Sequence, residues 1–136
     1  FLVPHIAKHK HIRLYTNNML TALSAIEAGI ATVCLGGVSA DCSAVLTGAL
    51  ACQNVASITP DILFFSSQSL DDTGMISDSS EAENYLRSLM LKTARKSVFL
   101  CDHEKFHRRS PYRLADIDSI DHTVFDEPWE ALSPAP

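Results

Sequence analysis

Short apolar runs alternate along the chain with longer amphipathic stretches. "FLVPHIAKH" reads like the middle of a helix already under way, and its lack of an initial methionine predicts that sequence precedes Phe1 in the gene product. "HIRLYT" (His11 to Thr16) alternates polar and apolar as a short strand does. "NNMLTALSAIEAG" then places Leu20, Leu23 and Ile26 at near-helical spacing, with Asn17 or Asn18 as N-cap and Gly29 as C-cap. "IATVCLGG" is a second strand, apolar on both faces and stopped by Gly36 and Gly37. "SAVLTG" predicts a short third strand that turns into "ALACQNVAS", a helix of mainly small residues. Pro60 breaks the chain before the apolar run "DILFFSS".

The polar stretch "QSLDDTGMISDSS" predicts a loop lying over a functional edge. The clearest helix follows, "SEAENYLRSLMLKTARK", where Ser80 and Glu83 have the spacing of a capping box. Ala82, Leu86, Leu89 and Thr93 make one face, widened by Tyr85, Met90 and Ala94. Glu81 and Glu83 in the first turn, with Lys92, Arg95 and Lys96 near the last, suit the helix dipole. "SVFLC" begins a strand, and "PYRLADIDSIDHTVFDE" predicts a loop, a helical turn and a final strand "HTVF". This alternation of buried strands with helices implies an α/β fold, a mainly parallel sheet with helices on both faces. The expected organisation is one domain over residues 1–128 and a frayed, Pro-rich tail over 129–136.

Composition narrows the function. At 136 residues the chain is the size of one domain, and 46 % hydrophobic with 20 % charged residues excludes extensive disorder. A net charge of −5 argues against this segment gripping nucleic acid by itself, while leaving room for a small anion held by one or two local cations. No apolar stretch approaches the roughly 20 residues of a bilayer span, and no signal peptide is visible, so no membrane partner is expected. Four irregularly spaced cysteines, Cys34, Cys42, Cys52 and Cys101, read as reduced core or near-core residues of a cytoplasmic protein.

Candidate chemistry sits where strands stop. In "VFLCDHEKF" an apolar run ends in Asp102, His103, Glu104 and Lys105. One reading is a solvated turn with a local ion pair. The other makes Lys105 a point charge for a phosphate and Asp102 an acceptor from a sugar hydroxyl, a reading favoured by a strand end within a parallel sheet. Asn17 follows a strand and opens a helix, as an N-cap or as part of an anion-binding edge. Gly37 is turn chemistry or a place for a ligand to approach the backbone. Cys101, His103 and His107 lack the second ligand pair that a metal site needs. There is no G-x-S-x-G, P-loop or G-x-G-x-x-G, and no cofactor is expected.

In order, "YTNN", "LGG", "LTGALA", "PDILFFSSQSLDDTGMISDSSEAE", "LCDHEKF" and "DIDSIDHTVFD" resemble the C-terminal effector-binding domain of the DeoR family of bacterial sugar-metabolism repressors, from about Leu14 to Asp126. The resemblance implies a fold shared with ribose-5-phosphate isomerase and a phosphorylated sugar, or a close metabolite, as effector. It implies operator DNA bound only through an N-terminal winged helix-turn-helix absent here, and a homo-oligomer, dimer or tetramer. Carried over by position, Asn17, Gly37, Gly74, Asp102 and Lys105 are the ligand-binding residues. The family's phosphate loop would fall before the first residue, and His107 stands where the family often has Gly. The alternatives are an isomerase-like enzyme and an oligomerisation domain without ligand. Against the enzyme, Ser66-Ser67-Gln68-Ser69 replaces the isomerases' carboxylate-bearing stretch, and Arg87 falls near their catalytic Glu.

Overall fold

The computed structural model describes residues 2–131, and the chain divides into two compact units, residues 1–55 and 56–136. The first contains α1 (Val3–Ile6), β1 (Arg13–Thr16), α2 (Met19–Glu27), β2 (Ala31–Cys34), β3 (Val38–Ser39) and β4 (Leu46–Thr47), and most of α3 (Ala49–Ala56). β1 and β2 pair in parallel, with Leu14 opposite Thr32, and α2 packs on both. Asn18 is the N-cap of α2: its Oδ1 accepts from Leu20 N at 2.9 Å and Thr21 N at 3.1 Å. Gly29 follows the helix at φ +79, in the left-handed region that lets the chain turn back into β2. The expected third strand is β4, which forms an antiparallel hairpin with β3.

Here the helical spacing misleads about direction. Leu20, Leu23 and Ile26 are exposed, and the face turned inward is that of Ala22 and Ala25. Small side chains bring the helix axis close to the sheet, where Ala25 packs with Val3 and Ile30.

The second unit contains β5 (Ile62–Phe65), β6 (Ser69–Leu70), β7 (Met75–Asp78), α4 (Glu81–Thr93), β8 (Lys96–Cys101), β9 (Tyr112–Asp116) and β10 (His122–Phe125). Three of these make a parallel sheet in the order β10-β8-β5, with Phe65 opposite Phe99 and Phe99 opposite Thr123. Another three make an antiparallel sheet, β6-β7-β9. The fold is therefore mixed α/β, with parallel sheets and several helices, and less uniformly parallel than the sequence implies. One core joins both sheets: Phe65, Phe99 and Cys101 meet Leu70, Ile76, Phe106 and Ile120, with Leu91 of α4 packed against them.

Two expectations are corrected here. The stretch expected to be a loop over the site, Gln68 to Ser80, is a packed hairpin in which Leu70 and Ile76 are wholly buried. Its polar residues serve its own turn: Asp71 Oδ1 accepts from Thr73 N, Thr73 Oγ1 and Met75 N, at 2.7–3.0 Å. The loop expected before the last strand is β9, hydrogen-bonded to β7 across a register shift at Ile76/Ser77.

The α4 cap is as expected on one side only. Ser80 Oγ accepts from Glu83 N, but Ser80 N donates to Asp78 Oδ1 rather than to Glu83. Tyr85 is exposed, and the helix turns Asn84 and Leu86 inward, Asn84 Nδ2 donating to Arg113 O at 2.9 Å. The tail begins less freely than its composition suggests, because Trp129 packs on Phe125 and the core; residues 132–136 lie outside the described residues. All four cysteines are free, and Cys34 and Cys42 are exposed rather than near-core.

Phe99 sits at the centre of the parallel sheet with no exposed surface and rings on either side. Phe99→Ala is expected to destabilise the protein by about 3–5 kcal/mol, read by denaturant unfolding. A loss below about 1 kcal/mol would contradict this packing.

Candidate functional site

β5 and β8 are parallel neighbours, so the residues following each emerge at the same rim of the sheet. After β8 the chain makes a single 3-10 turn, His103–Lys105, and the next residue, Phe106, is buried. Phe106 packs edge-on to Phe125 and bridges Leu70, which pins the turn from below. Lys105 Nζ therefore reaches back across the strand ends and donates to Ser66 Oγ at 3.0 Å, with Asp102 Oδ2 at 3.6 Å. Its side chain is 31 % exposed, so the ammonium lies at a cleft and not out in bulk solvent.

That cleft has a volume of about 530 Å3 and is lined by Gln68, Ser69, Asp102, Glu104, Lys105, Arg108, Arg109 and Ser110. Three cations against two carboxylates give it a local positive balance within a chain of net charge −5. Its size is that of a small-molecule site, and its lining is almost wholly polar. Ser69 and Ser110 face one another with their hydroxyls 2.6 Å apart.

The structure brings together Asp102 and Lys105 of the five candidates. Asn17 and Gly37 meet at β4 in the other unit: Asn17 Nδ2 donates to Leu46 O at 2.8 Å, and a Cβ on Gly37 would stand 2.5 Å from Thr47 O. Gly74 is in the β6–β7 turn at φ +91, where a Cβ would come within 2.8 Å of Ile117 Cγ2; it does not line the cleft. Sequence reasoning passed over Arg108 and Arg109, although "HRR" directly follows the Lys-Phe pair.

A second feature was also missed. Asp78 is buried, and its carboxylate takes the Arg87 Nη1 at 3.1 Å, Ser67 Oγ at 3.3 Å and Ser80 N at 2.9 Å. Such a pair costs several kcal/mol to break, because either partner alone would be a buried charge.

Several groups titrate away from their ordinary values. Burial pushes the Cys101 thiol up to about 11, against the attraction of Lys105, so it is neutral and unreactive beneath the site. The hydrogen bond that His103 Nδ1 donates to Asp126 Oδ2 raises His103, and the same bond lowers Asp126, whose Oδ1 also accepts from His103 N. Asp71 is lowered: burial opposes its ionisation, but the Thr73 and Met75 hydrogen bonds outweigh it, with Arg109 nearby. His107 contacts Asp72, so an imidazole–carboxylate pair holds each end of the turn that carries Lys105.

Another cleft, about 360 Å3, opens at the amino end of β8 beside Lys92, Arg95 and Lys96. It adjoins the carboxyl end of α4, where the carbonyl dipoles disfavour an anion and account for the cations. The strand-end cleft is the better candidate.

The model of the DeoR C terminal sensor domain matches residues 1–127 of this sequence. The chain belongs to the DeoR C-terminal sensor domain family. This sensor domain is 32 % identical over 77 residues to the L-fucose operon activator of Escherichia coli (strain K12), covering 57 % of the chain and 32 % of that protein. The Shigella flexneri protein of the same name matches to the same extent. An Escherichia coli O157:H7 protein named as a transcriptional repressor of the aga operon is 29 % identical over 121 residues, 88 % of the chain and 45 % of the relative. The chain thus spans between a third and a half of the length of these relatives. Among the described residues no helix is long and apolar enough to cross a membrane.

The His103–Asp126 pair has a defined pH window. The raised imidazole favours the pair below its ordinary value and loses it as pH rises through the raised one; the lowered carboxylate loses it as pH falls. The contact is fullest between roughly pH 4 and 6.5. NMR titration is expected to place the His103 midpoint above about 6.5 and to bring it back toward that value in Asp126→Asn. A midpoint insensitive to the substitution would contradict the contact.

Proposed function

We propose that this sensor domain binds a phosphorylated sugar in the strand-end cleft and relays its presence to DNA binding by a separate N-terminal domain. The observation that carries the proposal is the Lys105 ammonium, held at the shared rim of β5 and β8 by Ser66 and facing a cleft lined by two further cations. Lys105 supplies the phosphate anchor and Asp102 accepts from a sugar hydroxyl. Asn17 and Gly37 are kept as ligand-contact candidates by the family resemblance alone, and Gly74 contributes the turn that carries Asp71. The fold reading that goes with this is the ribose-5-phosphate isomerase type, supported by ligand chemistry beyond the carboxyl ends of parallel strands. A cytoplasmic homo-oligomer completes the proposal. The relatives' names concern the fucose and aga operons, in keeping with a sugar-derived effector.

Binding without turnover fits the residues better than isomerisation. Isomerases need a free carboxylate to abstract a carbon-bound proton. Ser66 to Ser69 offer hydroxyls and an amide, Asp102 is beside Lys105, Asp78 is engaged by Arg87, and the other lining acid, Glu104, is a solvent-exposed carboxylate of the 3-10 turn. The hairpin packing of Gln68 to Ser80 also removes a lid from the mechanism. What remains is a population shift, for which a coupling of about 1–3 kcal/mol suffices. One charge-assisted hydrogen bond from Lys105 is of that order, about 1.5–3 kcal/mol.

A thermal-shift panel tests this on the intact protein. Phosphorylated sugars at about 100 times Kd are expected to stabilise it by about 2.7 kcal/mol, and Lys105→Met to abolish the shift. Equal shifts with unphosphorylated sugars would overturn the anchor, and turnover of the sugar phosphate would establish the enzyme instead.

A further inference from the structure

We infer that the effector carries two anionic groups, a sugar bisphosphate or a phosphorylated sugar acid, with Lys105 holding one and the Arg108–Arg109 pair the other. The inference rests on the proposed function and names the ligand class of that same cleft. A monophosphate needs one cationic anchor, and Lys105 with Ser66 supplies it. Two further guanidinium groups, both on exposed residues, line the same cavity.

Arg109 is 78 % exposed, and its one ion pair among the described residues runs to Asp71. Its Nε lies 3.6 Å from Oδ2 of Asp71, a carboxylate 10 % exposed whose other oxygen is fully engaged by the β6–β7 turn. With Asp71 lowered it remains charged at neutral pH. Pairing through Nε leaves the two terminal nitrogens of Arg109 free to meet a phosphate or carboxylate as a planar fork. Arg108 is anchored through its backbone, N donating to Leu70 O at 3.3 Å, and among the described residues its guanidinium has no hydrogen-bond or ion-pair partner.

The lining carries two acids, Asp102 and Glu104, suited to sugar hydroxyls once Lys105 meets its anion. The same lining carries Arg108, Arg109 and the hydroxyl pair Ser69–Ser110. Its three cations outnumber its two acids, which suits a second anion. A volume of about 530 Å3 is within the range of small-molecule sites.

Isothermal titration calorimetry on the intact protein tests this, with a triose, a pentose and a hexose series. Each series includes a doubly anionic form and the matching monophosphates. The doubly anionic form of the preferred sugar is expected to bind about 10-fold or more tighter than either monophosphate. In the double variant Arg108→Gln/Arg109→Gln its affinity is expected to fall to the level of the wild-type monophosphate. Equal binding of mono- and doubly anionic forms would overturn this inference and leave the proposed function standing, as would a variant that keeps the preference. Failure of every phosphorylated sugar to bind would overturn both.

Discussion

The second unit depends on one chain of aromatic contacts through the parallel sheet. Phe65 stacks on Phe99 with centroids 5.1 Å apart, Phe99 meets Phe125 at 6.3 Å, and Phe125 meets Phe106 at 5.3 Å. Pairs of this kind contribute about 0.5–1.5 kcal/mol each beyond their burial. Their position matters more than the sum. The contacts run from the strand interiors to the residue directly after Lys105, so the geometry of the sheet is handed on to the turn carrying the cation. A lysine on a free loop would be a solvated point charge; here Phe106 below and Ser66 across the rim hold it at a cleft.

This arrangement reconciles an acidic chain with the proposed anionic ligand. The cleft needs only a local excess of positive charge, and Lys105, Arg108 and Arg109 supply it. Carboxylates are spent on positioning: Asp71 orients Arg109, Asp78 is paired with Arg87, and Asp126 steadies His103. The cleft's own lining, two acids among three cations and two serines, is suited to recognising an anion that bears hydroxyls. Membership of a sensor family, together with relatives named for operon control, fits that chemistry.

Much of this was legible in the residues, and the remainder was hidden for definable reasons. Asn18, Gly29 and Ser80 mark helix ends because capping is local, and each appears where a cap is expected. Asp102 and Lys105 could be singled out because a strand-end position has chemical meaning whatever packs around it. The hairpin Gln68 to Ser80 was illegible because its two buried apolar side chains, Leu70 and Ile76, sit among serines and aspartates whose partners lie in the turn itself. The direction of α2 was misread because periodicity reports a stripe of leucines without saying whether alanines on the other side dock more closely. Arg109 acquires its role only through Asp71, 38 positions earlier, a contact that spacing along the chain does not encode.

The account stands on the Lys105 ammonium meeting an anion at the rim of β5 and β8. A crystal structure of the intact protein with a bound sugar phosphate tests it most directly. The account predicts a phosphate oxygen within hydrogen-bonding distance, about 2.7–3.2 Å, of Lys105 Nζ. A phosphate bound elsewhere, with Lys105 still held by Ser66 and Asp102 alone, would contradict it.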